Sequence, residues 1–198
     1  MIHVLEDGQD HARKVRESLS AWHTPTEFRA IVEDARDRVG PHVIFRKPAW
    51  SFWRDAWTIG RFADLTHAEE VQLTAAAEQY PDGRVRLASQ VLDVEVTEAM
   101  MPDRRRANEY EPDARTTRYD PVEEWDRRLD ELPKALDRVI SKKVAKLYGL
   151  RPTLVVYLNI GAYGGYRDAE TRTSIASIKE RYANSFTALH VLRGDELL

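Results

Sequence analysis

The chain has 198 residues, 42% of them hydrophobic and 32% charged, with a net charge of −3 and no cysteine. That composition fits one globular domain, with enough length to bury a sizeable core beneath a heavily charged surface. It excludes disulfides and thiolate metal sites. No apolar run approaches the ~20 residues that cross a bilayer, and the acidic balance confines any nucleic-acid contact to a local basic patch.

The first ten residues carry acids and no apolar h-region, so they do not read as a secretory signal, and a cytoplasmic location is the expectation. Residues 9–22 are expected to form a helix with Val15, Leu19 and Trp22 on one face. Thr24-Pro25-Thr26-Glu27 is a capping box with proline at the first helical position. It opens a helix whose apolar stripe is Phe28, Ile31, Val32, Ala35 and Val39, and Gly40-Pro41 stops it. Val43, Ile44 and Phe45 suggest a short strand. Trp50, Phe52, Trp53, Trp57 and Phe62 follow at spacings of neither period, either as a packing segment or as a stacking platform for bases. Residues 1–65 are therefore expected to be a helical and aromatic extension, and 66–198 the core.

Thr66 to Gln79 is expected to be helical, with Thr66 as cap and Glu69 in the capping-box position, broken by Tyr80-Pro81-Asp82-Gly83. Val85 and Leu87 mark one strand. Leu92, Val94 and Val96 mark a second, alternating with Asp93, Glu95 and Thr97, and Ala88-Ser89-Gln90 is a plausible hairpin connection. Residues 102–120 are polar and read as a long exposed loop that contains Arg104-Arg105-Arg106. Asp120-Pro121 opens a helix from about 122 to 148, which Pro133 should kink or split and Gly149 should end. Thr153 to Asn159 is a strand buried on both faces. A glycine-containing loop leads to a helix over 168–184 and a strand over 186–192. The unit from 153 to 192 should be a parallel crossover. The fold expected is α/β, a central mixed sheet flanked by helices.

Chemistry concentrates on the second hairpin strand. Asp93, Glu95 and Thr97 share a side because strand side chains alternate, and Asp82 lies just before the partner strand. Two converging carboxylates suit a hard divalent ion; the alternative is that these acids simply face water. Lys143 falls near the centre of the stripe formed by Leu132, Leu136, Val139, Ile140, Val144 and Leu147. A lysine on a buried face either snorkels to water or meets an anionic partner. The six histidines make no zinc-type spacing, and Gly161, Gly164 and Gly165 match no phosphate-loop pattern.

Pro81-Asp82, then Glu95-Val96-Thr97 on the next strand, then a helix and a buried strand, resembles the PD-(D/E)XK superfamily of restriction-endonuclease-like nucleases. The run Asp93-Val94-Glu95-Val96-Thr97-Glu98-Ala99, with Arg104-Arg105-Arg106, Lys142-Lys143 and the strand at 154–159, also resembles a group of uncharacterised bacterial and phage proteins. The resemblance covers roughly residues 66–192. It implies a restriction-endonuclease-like fold, magnesium or manganese as cofactor, and Asp82 and Glu95 as metal carboxylates. Glu70 or Glu69 would be a further metal ligand, and Arg104, Arg105 and Arg106 would grip phosphates of a nucleic acid. The family's lysine, two residues after the glutamate, is absent because position 97 is threonine; Lys143 is the candidate to replace it as a catalytic residue. The function implied is metal-dependent phosphodiester hydrolysis. Its alternative is a catalytically inactive module on the same fold that binds nucleic acid or a protein partner. No membrane association is expected, and a homo-oligomer stays open.

Overall fold

The computed structural model describes residues 2–104, 109–110, 123–146, 151–161 and 165–198. The elements are α1 (Ile2–Leu19), α2 (Pro25–Val39), α3 (Pro41–Arg46), a 3-10 turn (Pro48–Trp50), α4 (Phe52–Leu65), β1 (Glu70–Leu73), β2 (Gly83–Leu87), β3 (Gln90–Ala99), α5 (Glu123–Val144), β4 (Thr153–Leu158), α6 (Asp168–Arg181), β5 (Ala188–Arg193) and β6 (Glu196–Leu197). The class is α/β. Its six strands lie in sequence order in one mixed sheet: β1, β2 and β3 are antiparallel, β4 and β5 parallel, and β6 antiparallel to β5. Contacts group the chain into two units, Met1–Val94 with Arg105–Thr116, and Glu95–Arg104 with Thr117–Leu198.

In the first unit the Thr24 capping box forms as expected: the Glu27 amide donates to Thr24 Oγ1 at 3.3 Å and the Thr24 amide to Glu27 Oε2 at 3.0 Å. Phe28, Val32 and Ala35 make the buried face of α2. That face meets α4, where a Cβ on Gly60 would stand 3.2 Å from the Phe28 ring and the Trp53 indole donates to the Val32 carbonyl at 2.9 Å. The strand expected at Val43–Phe45 is instead the short helix α3, and the aromatic stretch after it is mostly helical. Phe52, Ala56, Ile59 and Ala63 recur at helical spacing and all are buried. Trp50, Phe52, Trp53 and Phe62 are buried too, so these aromatics build the core.

The helix expected over 66–79 is also corrected. Thr66 ends α4, its hydroxyl donating to the Phe62 carbonyl at 2.7 Å, and Glu70–Leu73 is a strand. Val71 and Leu73 are buried while Glu70 and Gln72 are half-exposed, a period of two rather than 3.6. The run Ala75–Ala77 suggests helix by propensity, but these alanines lie exposed beyond the strand. Pairing decides the state: β1 runs against β2 from Glu70↔Arg86 to Leu73↔Gly83, and His23 bridges its other edge at Val71. The hairpin of β2 and β3 pairs from Gly83↔Val94 to Leu87↔Gln90. Its two linking residues, Ala88 and Ser89, both have positive φ (46° and 68°), as a type I′ connection requires.

Gly83 has no room for a side chain. A Cβ there would stand 2.7 Å from the Gln72 carbonyl oxygen and 2.8 Å from Ile59 Cδ1. Gly83→Ala is expected to destabilise the chain by about 1–3 kcal/mol, as overpacking does, read as a lowered urea midpoint; an unchanged midpoint would contradict this packing.

In the second unit α5 is one helix that contains Pro133 without being split. Its buried positions Leu132, Ala135, Leu136 and Ile140 pack with Ile175 and Ile178 of α6, Leu154, Val156 and Leu158 of β4, and Leu189 and Val191 of β5. The other face of the parallel pair is also closed, with Val155 and Leu192 fully buried. A helix joins parallel β4 and β5, the crossover that the continuous apolar run at 153 implied. The expected start of α5 at Asp120-Pro121, its end at Gly149, Gly164 and most of the polar loop over 102–120 lie outside the described residues.

His190 sits on β5 opposite Val155. Burial pushes its imidazole below the ordinary 6.5, and Lys179 acts in the same direction. The unfolded chain therefore binds this proton more readily than the folded one. Stability should fall as pH drops from about 6.5 towards the lowered value, and His190→Gln should flatten that slope. Thermal midpoints of both proteins across about pH 5–7 test this; identical slopes would contradict it.

Candidate functional site: a buried glutamate–lysine pair

Alternation along β3 sets Asp93, Glu95, Thr97 and Ala99 on one face and Val94, Val96 and Glu98 on the other. Ala99 joins the core built on α5, so the first of these faces turns towards that helix. Along α5 the buried stripe Leu132, Leu136 and Ile140 continues to Lys143, placed on the same side by helical spacing. Lys143 Nζ donates to Glu95 Oε2 in a short ion pair. The Glu95 side chain is 3% exposed and that of Lys143 12%. Of the two open readings of Lys143, the geometry is that of the anionic partner.

The site is costly to build. Each ion loses most of its hydration on burial, and only the partner's opposite charge and good geometry offset that loss. The pair is therefore poor evidence of a gain in stability. Two hydrophobic residues of similar volume would serve packing as well.

A second polar cluster lies on the opposite face of β3, and the sequence reading passed over it. Asn159, just beyond β4, donates from Nδ2 to Glu98 Oε1 at 2.7 Å, and Arg104 Nη1 donates to Asn159 Oδ1 at 2.8 Å and to its carbonyl at 3.0 Å. The Asn159 amide donates to the Ala99 carbonyl at 2.8 Å, which fixes the backbone beneath the cluster. Glu98 is 8% exposed. The signal was available: Glu98 continues the apolar face of Val94 and Val96 at a spacing of two, and a buried acid needs a partner.

Arg104 is thus engaged with Asn159, while Arg105 and Arg106 lie outside the described residues. Glu70 pairs with Arg86, its cross-strand partner on β2, and Glu69 is exposed where α4 leads into β1. Asp82 is half-buried at the head of β2, where its carbonyl accepts from the Thr74 amide at 3.2 Å. Thr97, two residues after Glu95 on the same face of β3, is half-buried.

Magnesium usually keeps several waters and takes only one or two carboxylates from the protein. Among the described residues no three acids or histidines form a group that could hold a metal ion. No described helix is long and apolar enough to cross a membrane. Comparisons with protein-family models, with curated proteins and with solved structures find no match to this chain.

Proposed function

We propose that the chain is a nuclease-like phosphodiesterase that works at Glu95 and Lys143 with a water-rich magnesium or manganese ion. The observation that carries this reading is the delivery of the Lys143 ammonium, from helix α5, to the buried carboxylate of Glu95. The resemblance calls for a lysine beside that glutamate. β3 does not supply it, since position 97 is threonine, and α5 does.

In this reading Glu95 would hold the ion, which when bound lowers the pKa of a coordinated water and offsets negative charge on the phosphate. Lys143 has two tasks. In the resting protein its ammonium pairs with the Glu95 carboxylate. With substrate present the same ammonium is the cation that orients the phosphodiester and meets the charge developing on its oxygens. Burial of the pair strengthens both effects, because few waters compete.

One observation favours the second reading, a catalytically inactive binding module: among the described residues no three acids or histidines group to hold a metal ion, and Lys143 already engages Glu95. The full chain is incubated with magnesium or manganese and labelled single- and double-stranded DNA and RNA. Metal-dependent cleavage that Glu95→Gln abolishes is the expected result. Retained binding of the nucleic acid without cleavage would favour the inactive module.

A further inference from the structure

In the first unit a cleft of about 110 Å³ opens where α1, α4 and the segment that leaves β1 meet. Its lining holds two buried groups with no hydrogen-bond partner among the described residues: Arg16 Nε and the hydroxyl of Thr74, a residue only 3% exposed. The Thr74 amide donates to the Asp82 carbonyl at 3.2 Å, which fixes the residue at the cleft. Arg16 Nε can only donate, and a hydroxyl donates as readily as it accepts. Buried groups left unmet cost free energy and are rare in folded proteins unless water or a ligand answers them. Arg16 also has no acidic partner among the described residues; its guanidinium carbon lies 5.8 Å from the centroid of the Phe52 ring.

The acids of the lining have partners of their own. Glu78 pairs with Arg84 at 3.1 Å and Asp55 with Arg54 at 3.8 Å, and Asp82 is engaged as well. What the cleft leaves open is therefore two donors, one of them on a cation. A cationic occupant would answer neither. A carboxylate brings two accepting oxygens and one negative charge, which matches two donors and one guanidinium. Phosphate would add a second negative charge that a single guanidinium does not balance, in a lining that already carries three acids. A neutral amide offers one oxygen and no charge.

We infer that this cleft binds a short aliphatic monocarboxylate, its two oxygens accepting from Arg16 Nε–H and the Thr74 hydroxyl and its alkyl end meeting the apolar part of the lining, Phe52, Leu73 and Pro81. The small volume limits that alkyl end to a short one. The inference is independent of the phosphodiesterase reading, since every residue it uses belongs to the first unit.

Titration calorimetry of the full chain in EDTA, with acetate as probe at constant ionic strength, keeps any metal effect out of the readout. Saturable acetate binding is expected. Acetamide, which keeps the shape without the charge, and inorganic phosphate should each bind at least about tenfold more weakly. Thr74→Val and Arg16→Gln should each weaken acetate by about tenfold or more. Thr74→Ser keeps the hydroxyl and should retain binding, which separates loss of the site from loss of the fold. No acetate binding, acetamide or phosphate binding as tight as acetate, or unchanged affinity in Thr74→Val or Arg16→Gln would each overturn the inference; the first of these would leave ordered water as the occupant.

Discussion

Lys143→Met is expected to lower the unfolding free energy by about 3–5 kcal/mol, because it breaks a buried ion pair by removing one partner. Glu95 is almost wholly enclosed, so water cannot replace the lost ammonium. The methionine fills similar space, which leaves electrostatics rather than a cavity as the source of the loss. The double variant Glu95→Met with Lys143→Met supplies the contrast. Removing both charges together should recover most of the loss, since a buried pair exchanged for apolar residues is often neutral. Urea denaturation of wild type, single and double variants measures this directly. A single variant within about 1 kcal/mol of wild type would mean that the pair is solvated and the site is not the one described.

The second large effect is on chemistry. Glu95→Gln keeps the shape of the side chain and can still accept from Lys143, yet it removes the negative charge that would hold a divalent ion. Loss of cleavage by about 10²–10³-fold or more is expected, the scale on which a single charge-stabilising group acts in such reactions. Substrate affinity should change far less, because phosphate contacts elsewhere carry most of the binding. A Glu95→Gln protein that cleaves at the wild-type rate would place any activity at another site.

What the sequence disclosed followed from how local each signal was. The Thr24 capping box, the β2–β3 hairpin and the apolar run of β4 are written in a few neighbouring residues, and all three appear in the fold. The approach of Lys143 to Glu95 was foreseeable because two periodicities, 2.0 on β3 and 3.6 on α5, place each residue on the face it uses. β1 was not legible. Four residues, two of them polar, stand between a threonine that resembles a helix start and a run of three alanines, and only pairing with β2 and His23 makes them a strand. α4 was obscured by its aromatic residues, which are large enough to bury from several directions and so blur the 3.6 period. The Asn159 cluster needed the end of β4 beside β3, which no spacing in the sequence states. The same holds for the ion pair of Glu70, a residue that the family resemblance implied as a metal ligand, with its cross-strand partner Arg86.

The most direct test is calorimetric titration of the full chain with manganese and with magnesium, in wild type and in Glu95→Gln. Binding to the wild-type protein that is lost in the variant is the predicted result, and it would place the ion beside the Lys143 pair. Absence of binding in both proteins, or equal binding in both, would contradict a metal-dependent phosphodiesterase at Glu95 and leave the buried pair as part of a binding scaffold.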